Sequence, residues 1–300
     1  MRRASVLLLL SILLASTVIA AYTLLPKEKE KLVVGTIQGG ISTLDLIEED
    51  WITVRKFDKS LDLAQALSKG EVDVAVITSE MYAKFAIKNK KLKIIAADMF
   101  QNQAIIGVSD LSELRGRKLG AVTASGTYAM FISYAKLSGL VLDEVRVVDA
   151  PLPQLVQAFG KGEIDAILCW EPLASKLIAK GYKHVDFSEL SEKYVGGDVV
   201  MLVWVANEEV LRKPELIEFL KLRNDAAEKW ESEAPERLKK IYDLSEEEVR
   251  VLMNRVKIIR GDLKDYEEAV ISAWKLALMG GYLENERSIE ELAKISFWEG

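Results

Sequence analysis

Few residues in this chain are of types that carry covalent chemistry, and they stand apart from one another. The single histidine, His184, begins an apolar run, and the single cysteine, Cys169, lies inside another. No spacing of Cys and His fits a metal site, and no phosphate loop ending in Gly-Lys-Ser/Thr occurs. These contexts support a structural histidine and a core thiol. An enzyme would have to work with carboxylates and hydroxyls alone, so the chain is read as a binding protein, with no catalytic residue, cofactor or metal assigned.

What the sequence does offer is hydrogen bonding at the ends of short β-branched runs. The loops GTIQGG at 35–40, ITSE at 77–80 and TASGT at 123–127 each precede an expected helix start. A helix start presents free backbone N–H groups and the positive end of its dipole, worth about 0.3–1 kcal/mol to an anion. Three such starts meeting at one cleft would hold an oxyanion without any arginine, and Gly126 would let a ligand approach the backbone. Ordinary capping by Ser79, Ser125 and Thr127 is the competing reading. Trp170, followed by Glu171 and Pro172, reads as a cleft wall or as a core aromatic. Glu80, Asp98, Glu171 and Asp198 are expected at or near the same cleft, where they would suit an ammonium, amidine or amino-heterocycle; each alone also reads as a surface charge or a cap.

The elements that would position these loops are written twice. Leu63, Gln65, Ala66, Lys69, Gly70, Glu71 and Asp73 recur with the same spacing as Leu155, Gln157, Ala158, Lys161, Gly162, Glu163 and Asp165. Each copy reads as an amphipathic helix, a glycine stop and a short buried strand. Upstream, KLVVGTIQGGIS and RKLGAVTASGTY repeat a strand and a small-residue loop. Two αβ units of this kind, with loops at the carboxyl ends of their strands, predict two lobes and a ligand cleft between them.

Length and composition agree with that organisation. Three hundred residues suffice for two cores. With 50% hydrophobic residues, 29% charged residues, a net charge of −6 and no basic stripe, the chain is globular and nucleic acid is excluded as a partner. Abundant Glu, Lys, Ile and Val beside six Asn and six Gln resembles a thermophile's composition. Arg2 and Arg3 precede an uncharged run from Ala4 to Leu25 and the charged KEKEK at 27–31. Residues 1–30 therefore read as a signal peptide or an N-terminal membrane anchor with a linker, placing the rest outside the membrane.

Strands are expected near Leu32, Ile52, Val72, Leu92, Lys118, Val145, Ile164 and His184, with crossovers between lobes at 103–109 and 199–206. After Asn207 the pattern turns helical, at 214–229, 235–242, 245–255 and 266–279, with a capping box at Ser245. The expected fold class is α/β: a two-lobed clamshell of αβ sandwiches joined by two hinge strands, with the helical C-terminal segment on the first lobe. Residues 31–107 and 200–300 would form lobe 1, and residues 108–199 lobe 2.

The segments VDVAVITS, DLSELRGRKLGAVTASGTYAMF and IDAILCWEPLASKLI together resemble the nitrate/sulfonate/taurine class of ABC-importer substrate-binding proteins, over roughly Leu32 to Ala206. The resemblance implies an extracytoplasmic, monomeric protein that holds a small-molecule ligand between its lobes and delivers it to a permease with its ATPase. It implies ligand contacts at Gln38, Gly39, Gly40, Thr78, Ser79, Ser125, Gly126, Thr127, Trp170 and Glu171. A small oxyanion, nitrate-, sulfonate- or taurine-like, is the expected ligand; an amino-heterocycle such as a thiamine-pathway pyrimidine is the alternative. An enzyme of vitamin-precursor synthesis on the same scaffold would want a cleft histidine or cysteine, and a membrane-anchored sensor would want a signalling module. The segment ISTLDLIEEDW after Gly40 is shorter than the family's, so one wall of the cleft is expected to differ.

Overall fold

The computed structural model describes residues 31–284 and 286–300; the export or anchor segment read at 1–30 lies outside them. In chain order the first elements are β1 (Leu32–Ile37), β2 (Ile52–Phe57), α1 (Ser60–Ser68), β3 (Val74–Thr78), α2 (Ser79–Ala86) and β4 (Leu92–Phe100). There follow β5 (Ala104–Ile106), β6 (Lys118–Ala121), α3 (Gly126–Ser138), β7 (Arg146–Asp149), α4 (Leu152–Gly160), β8 (Ala166–Cys169), α5 (Leu173–Ala179), β9 (His184–Asp186) and α6 (Phe187–Val195). The chain then returns through β10 (Val200–Asn207) into α7 (Pro214–Glu228), α8 (Trp230–Tyr242), α9 (Glu246–Arg255), α10 (Glu267–Met279) and α11 (Glu286–Ile295).

The strands form two five-stranded sheets, ordered β2-β1-β3-β10-β4 and β7-β6-β8-β5-β9. Each has a parallel triplet flanked by an antiparallel fourth strand, β10 in one and β5 in the other. The repeat in the sequence thus becomes a repeat in topology, and its residues do the same work in both lobes. Gly70 and Gly162 take φ of 72° and 71°, and the N–H groups of Glu71 and Glu163 close back on the carbonyls of Ala66 and Ala158 at 2.8 and 2.9 Å. Asp73 and Asp165 each accept a strand N–H, from Val33 and Lys118, at 2.8 Å. Gly35 in β1 and Gly120 in β6 lie under Leu63 and Leu155, where any Cβ would collide with the packed helix or the residues next to it.

The chain crosses between sheets at 101–103 and at 196–199, slightly before the expected crossovers. β5 already pairs with β8 and β9, and almost all of β10 pairs in the first sheet. The two crossings are tied together, Gln101 N–H donating to the Val199 carbonyl at 3.0 Å. Gln101, Asn102 and Gln103 are all buried although polar.

The C-terminal helices pack on the first lobe and also reach the second. In the first lobe, α7 presents Phe219 edge-on to Trp204, with ring centroids 5.0 Å apart. α8 begins at Trp230, five residues before the expected start, and Pro235 lies within it. Ser245 and Glu248 form the expected capping box on α9. α9 packs on α5 and α10 packs on α3, both of the second lobe. Lys176 donates to the Tyr242 carbonyl at 2.9 Å, and Lys136 to that of Met279 at 2.6 Å. Helix α11 was not read from the sequence; the chain after it pairs with one end of the β4 edge through Ile94 and Phe297, while the segment around Ile258 pairs with the other end at Met99.

Candidate functional site

The loops at the strand ends come together around a cavity of about 90 Å³ between the sheets, room for a few waters or one small solute. Its floor is apolar, from Ile37, Ile41, Val76, Ile77, Met99, Met201 and Leu202 of the first lobe. Its polar rim consists of Thr36, Ser60 and Thr78 from that lobe, Ser125, Gly126, Thr127 and Glu171 from the other, and Asn102 from the crossing. Trp170 closes one side and is half-buried. No lysine, arginine or histidine lines it among the described residues.

The rim residues are positioned by helix starts. Ser125 is the N-cap of α3: its hydroxyl accepts from the Tyr128 N–H at 3.2 Å and donates to the Val122 carbonyl at 2.6 Å. Gly126 and Thr127 open the first turn beyond that cap, where backbone N–H groups have no intrahelical acceptor. Across the cavity, Thr78 caps α2 by its backbone alone; its hydroxyl is buried and has no partner. Asn102 donates to the Met99 sulfur at 3.1 Å, while its side-chain oxygen is likewise buried without a partner.

The residues read from the sequence do not all fall on this cavity. Gly40, Thr78, Ser125, Gly126, Thr127, Trp170 and Glu171 line it. Ser79 does not: it is buried in α2 and donates its hydroxyl to the Val200 carbonyl at 2.8 Å. Gln38 and Gly39 form an exposed turn facing a second, wider depression of about 430 Å³, which shares Thr36, Ile37 and Gly40 with the first. The loop GTIQGG leads to a single 3-10 turn, Thr43–Leu46, and not to an α-helix, so it supplies no extended helix start. In the second depression, burial raises the Asp45 carboxyl to about 6, and the Tyr242 hydroxyl donates to the Gly40 carbonyl at 2.7 Å.

The acidic groups also separate. Asp98 is buried in the first lobe, accepting from Trp204 at 2.7 Å and from the Thr43 hydroxyl at 2.5 Å, with Arg223 at 3.5 Å. Asp198 is exposed. Glu171 lines the cavity but is engaged elsewhere, with one oxygen 2.6 Å from Arg255 and the other accepting the Ser175 N–H at 3.0 Å. Glu80 does not line the cavity. It lies wholly inside the lobe junction, its Oε1 has no partner, and its carboxyl packs so closely on Gly126 that a Cβ there would collide with it. Burial pushes its carboxyl up to about 7.

The groups with covalent potential stand outside the cavity lining. Cys169 is fully buried and burial pushes its thiol far above the normal range, which keeps it un-ionised and inert at neutral pH. His184 lies 3.6 Å from Asp186 on β9. Three polar lining groups were missed in the sequence, Thr36, Ser60 and Asn102. Asn102 carried a signal in the polar triplet QNQ between two apolar strands; Thr36, buried in β1, and Ser60, at the start of α1, carried none that set them apart from ordinary strand and helix-start residues.

The same fold occurs in known proteins. A taurine-binding periplasmic protein of Escherichia coli (strain K12) is 24% identical over 209 residues, 65% of this chain and 63% of that protein. The aligned stretch thus spans under two thirds of the relative's own length. Among solved structures, the alkanesulfonate-binding protein SsuA from Xanthomonas axonopodis pv. citri, bound to MOPS, superposes with a TM-score of 0.70 at 16% identity, covering 91% of this chain and 99% of that one. The periplasmic aliphatic sulphonate binding protein SsuA from Escherichia coli gives 0.68 at 14% identity, covering 91% and 95%. At these identities the likeness establishes a shared periplasmic-binding-protein fold. Residues 56–236 match the family described as NMT1/THI5 like, more than half of the chain, and to that family the chain belongs.

Proposed function

We propose that the chain is the extracytoplasmic substrate-binding protein of an ABC importer, capturing a small oxyanion-bearing solute between its lobes and delivering it to a permease. The observation that carries this reading is the opening turn of α3, whose Gly126 and Thr127 border a cavity between the sheets with an apolar floor and, among the described residues, no cationic side chain. Backbone N–H groups and hydroxyls there bind an oxyanion by hydrogen bonds and dipole, while Trp170 and the apolar floor take its organic body. The taurine- and sulfonate-binding relatives support the ligand class, and the Arg2, Arg3 and apolar-run pattern supports export.

A second reading, an amino-heterocycle as ligand, is favoured by the partnerless side-chain oxygen of Asn102, which lines the cavity and is an acceptor suited to a nitrogen-bound proton. Calorimetric titration with taurine, methanesulfonate, nitrate and an aminopyrimidine distinguishes the two. The first reading expects binding of at least one of the three oxyanion-bearing solutes and its loss in Thr127→Ala. Binding of the aminopyrimidine alone selects the second, and binding of none of the four by protein shown to be free of a carried-over solute refutes both.

A further inference from the structure

Arg255, the last residue of α9, sits where three parts of the molecule meet. Its Nε donates to Glu171 Oε1 at 2.6 Å, a second guanidinium nitrogen donates to the Asn102 carbonyl at 2.7 Å, and the third pairs with Asp186 at the end of β9. Two of these partners, Glu171 and Asn102, line the ligand cavity; the third belongs to the second sheet. The arginine itself comes from the C-terminal segment, reached only after the chain has returned to the first lobe through β10. Its side chain is 9% exposed. Burial works against its charge, but Glu171 and Asp186 outweigh that and hold the guanidinium protonated. The three donations go in different directions, which suits a planar fork and not a point charge.

We propose that Arg255 is a positioning residue for the ligand cleft: by holding Glu171, the crossing carbonyl of Asn102 and Asp186 together, it fixes the Trp170 wall and the angle between the lobes. The proposal rests on reading the interlobe cavity as the binding site, and it assigns Glu171 to shaping that site and not to touching the ligand. Glu171 follows Trp170 directly and is held from both sides, by Arg255 and by the Ser175 N–H, so the indole's placement depends on the arginine. The crossing carbonyl links that wall to the segment about which the lobes turn.

The test needs no ligand, so its failure is separable from failure of the proposed function. The protein is labelled with 5-fluorotryptophan, and the Trp170 resonance is assigned by its loss in Trp170→Phe. Interlobe distance is measured between nitroxides at Lys69→Cys and Lys161→Cys, both exposed, with the buried Cys169 left in place. Arg255→Gln should move or broaden the Trp170 resonance and shift or widen the distance distribution by more than about 2 Å. Arg255→Lys should do the same despite keeping the charge. If Arg255→Gln does not fold, Asp186→Asn, which leaves every cavity residue intact, should move the Trp170 resonance in the same direction by less. A fall in melting temperature with the Trp170 resonance and the distance unchanged would overturn the proposal, leaving Arg255 as a fastener of α9 only. A lysine variant indistinguishable from the parent in both readouts would also overturn it.

Discussion

Replacing Glu80 by glutamine should make the protein more stable at alkaline pH and leave it unchanged in acid. The carboxyl is wholly buried between α2 and Gly126, and no ion pair reaches it among the described residues. Burial raises it from 4.5 to about 7. The folded state therefore binds this proton more tightly than the unfolded chain does, and stability falls as pH rises from about 4.5 to about 7, then levels. At 1.36 kcal/mol per unit, a difference of about 2.5 units costs about 3 kcal/mol above pH 7. Glutamine keeps the shape and removes the charge, so Glu80→Gln should recover up to that amount at pH 8, roughly 6 °C in Tm for a chain of this size, and almost nothing at pH 4.5. Thermal melts of parent and variant from pH 4 to 9 provide the assay. Parallel curves, or a variant less stable at pH 8, would refute the reasoning by showing that the helix starts hold Glu80 as an anion.

Gly126→Ala should cost about 1–3 kcal/mol, because its Cβ collides with the Glu80 carboxyl, and the double variant with Glu80→Ala should recover part of the loss in chemical denaturation. Trp170→Ala should weaken ligand binding by about 2 kcal/mol in calorimetric titration with little change in Tm; a large fall in Tm with binding intact would make it a core residue. Ser245→Ala should cost about 1 kcal/mol by denaturant titration, since the Glu248 N–H loses its acceptor at 3.3 Å and the reciprocal box around it is broken.

The scaffold was legible because it is local and repeated. Helix spacing, the left-handed glycine and the strand-capping aspartate act within a few residues of one another or on the neighbouring strand, so each lobe is specified by its own short segment. The site is legible only in part because its residues divide by what lies across from them. Ser125 and Ser79 both stand at helix starts, yet Ser125 caps its own helix while Ser79 reaches the Val200 carbonyl on a strand 121 positions away. Glu171 and Asp98 both read as cleft acids, but Arg255 takes the first and Arg223 lies beside the second, and both arginines come from the C-terminal helices. The crossings were misplaced by a few residues because apolar strands on either side of a hinge look alike; the polar triplet at 101–103 was the better marker. Helix α11 did carry a pattern, since Ile289 and Leu292 stand three apart and are both buried, but charged neighbours in ERSIEELAKI mask so short an apolar face.

The central claim, that a solute is held between the lobes, is tested most directly by native mass spectrometry of the protein purified without denaturation, parent beside Trp170→Ala. The account predicts one small-molecule adduct per parent chain, displaced by the cognate oxyanion and absent or strongly reduced in the variant. An adduct carried equally by both proteins would place the ligand elsewhere and contradict it.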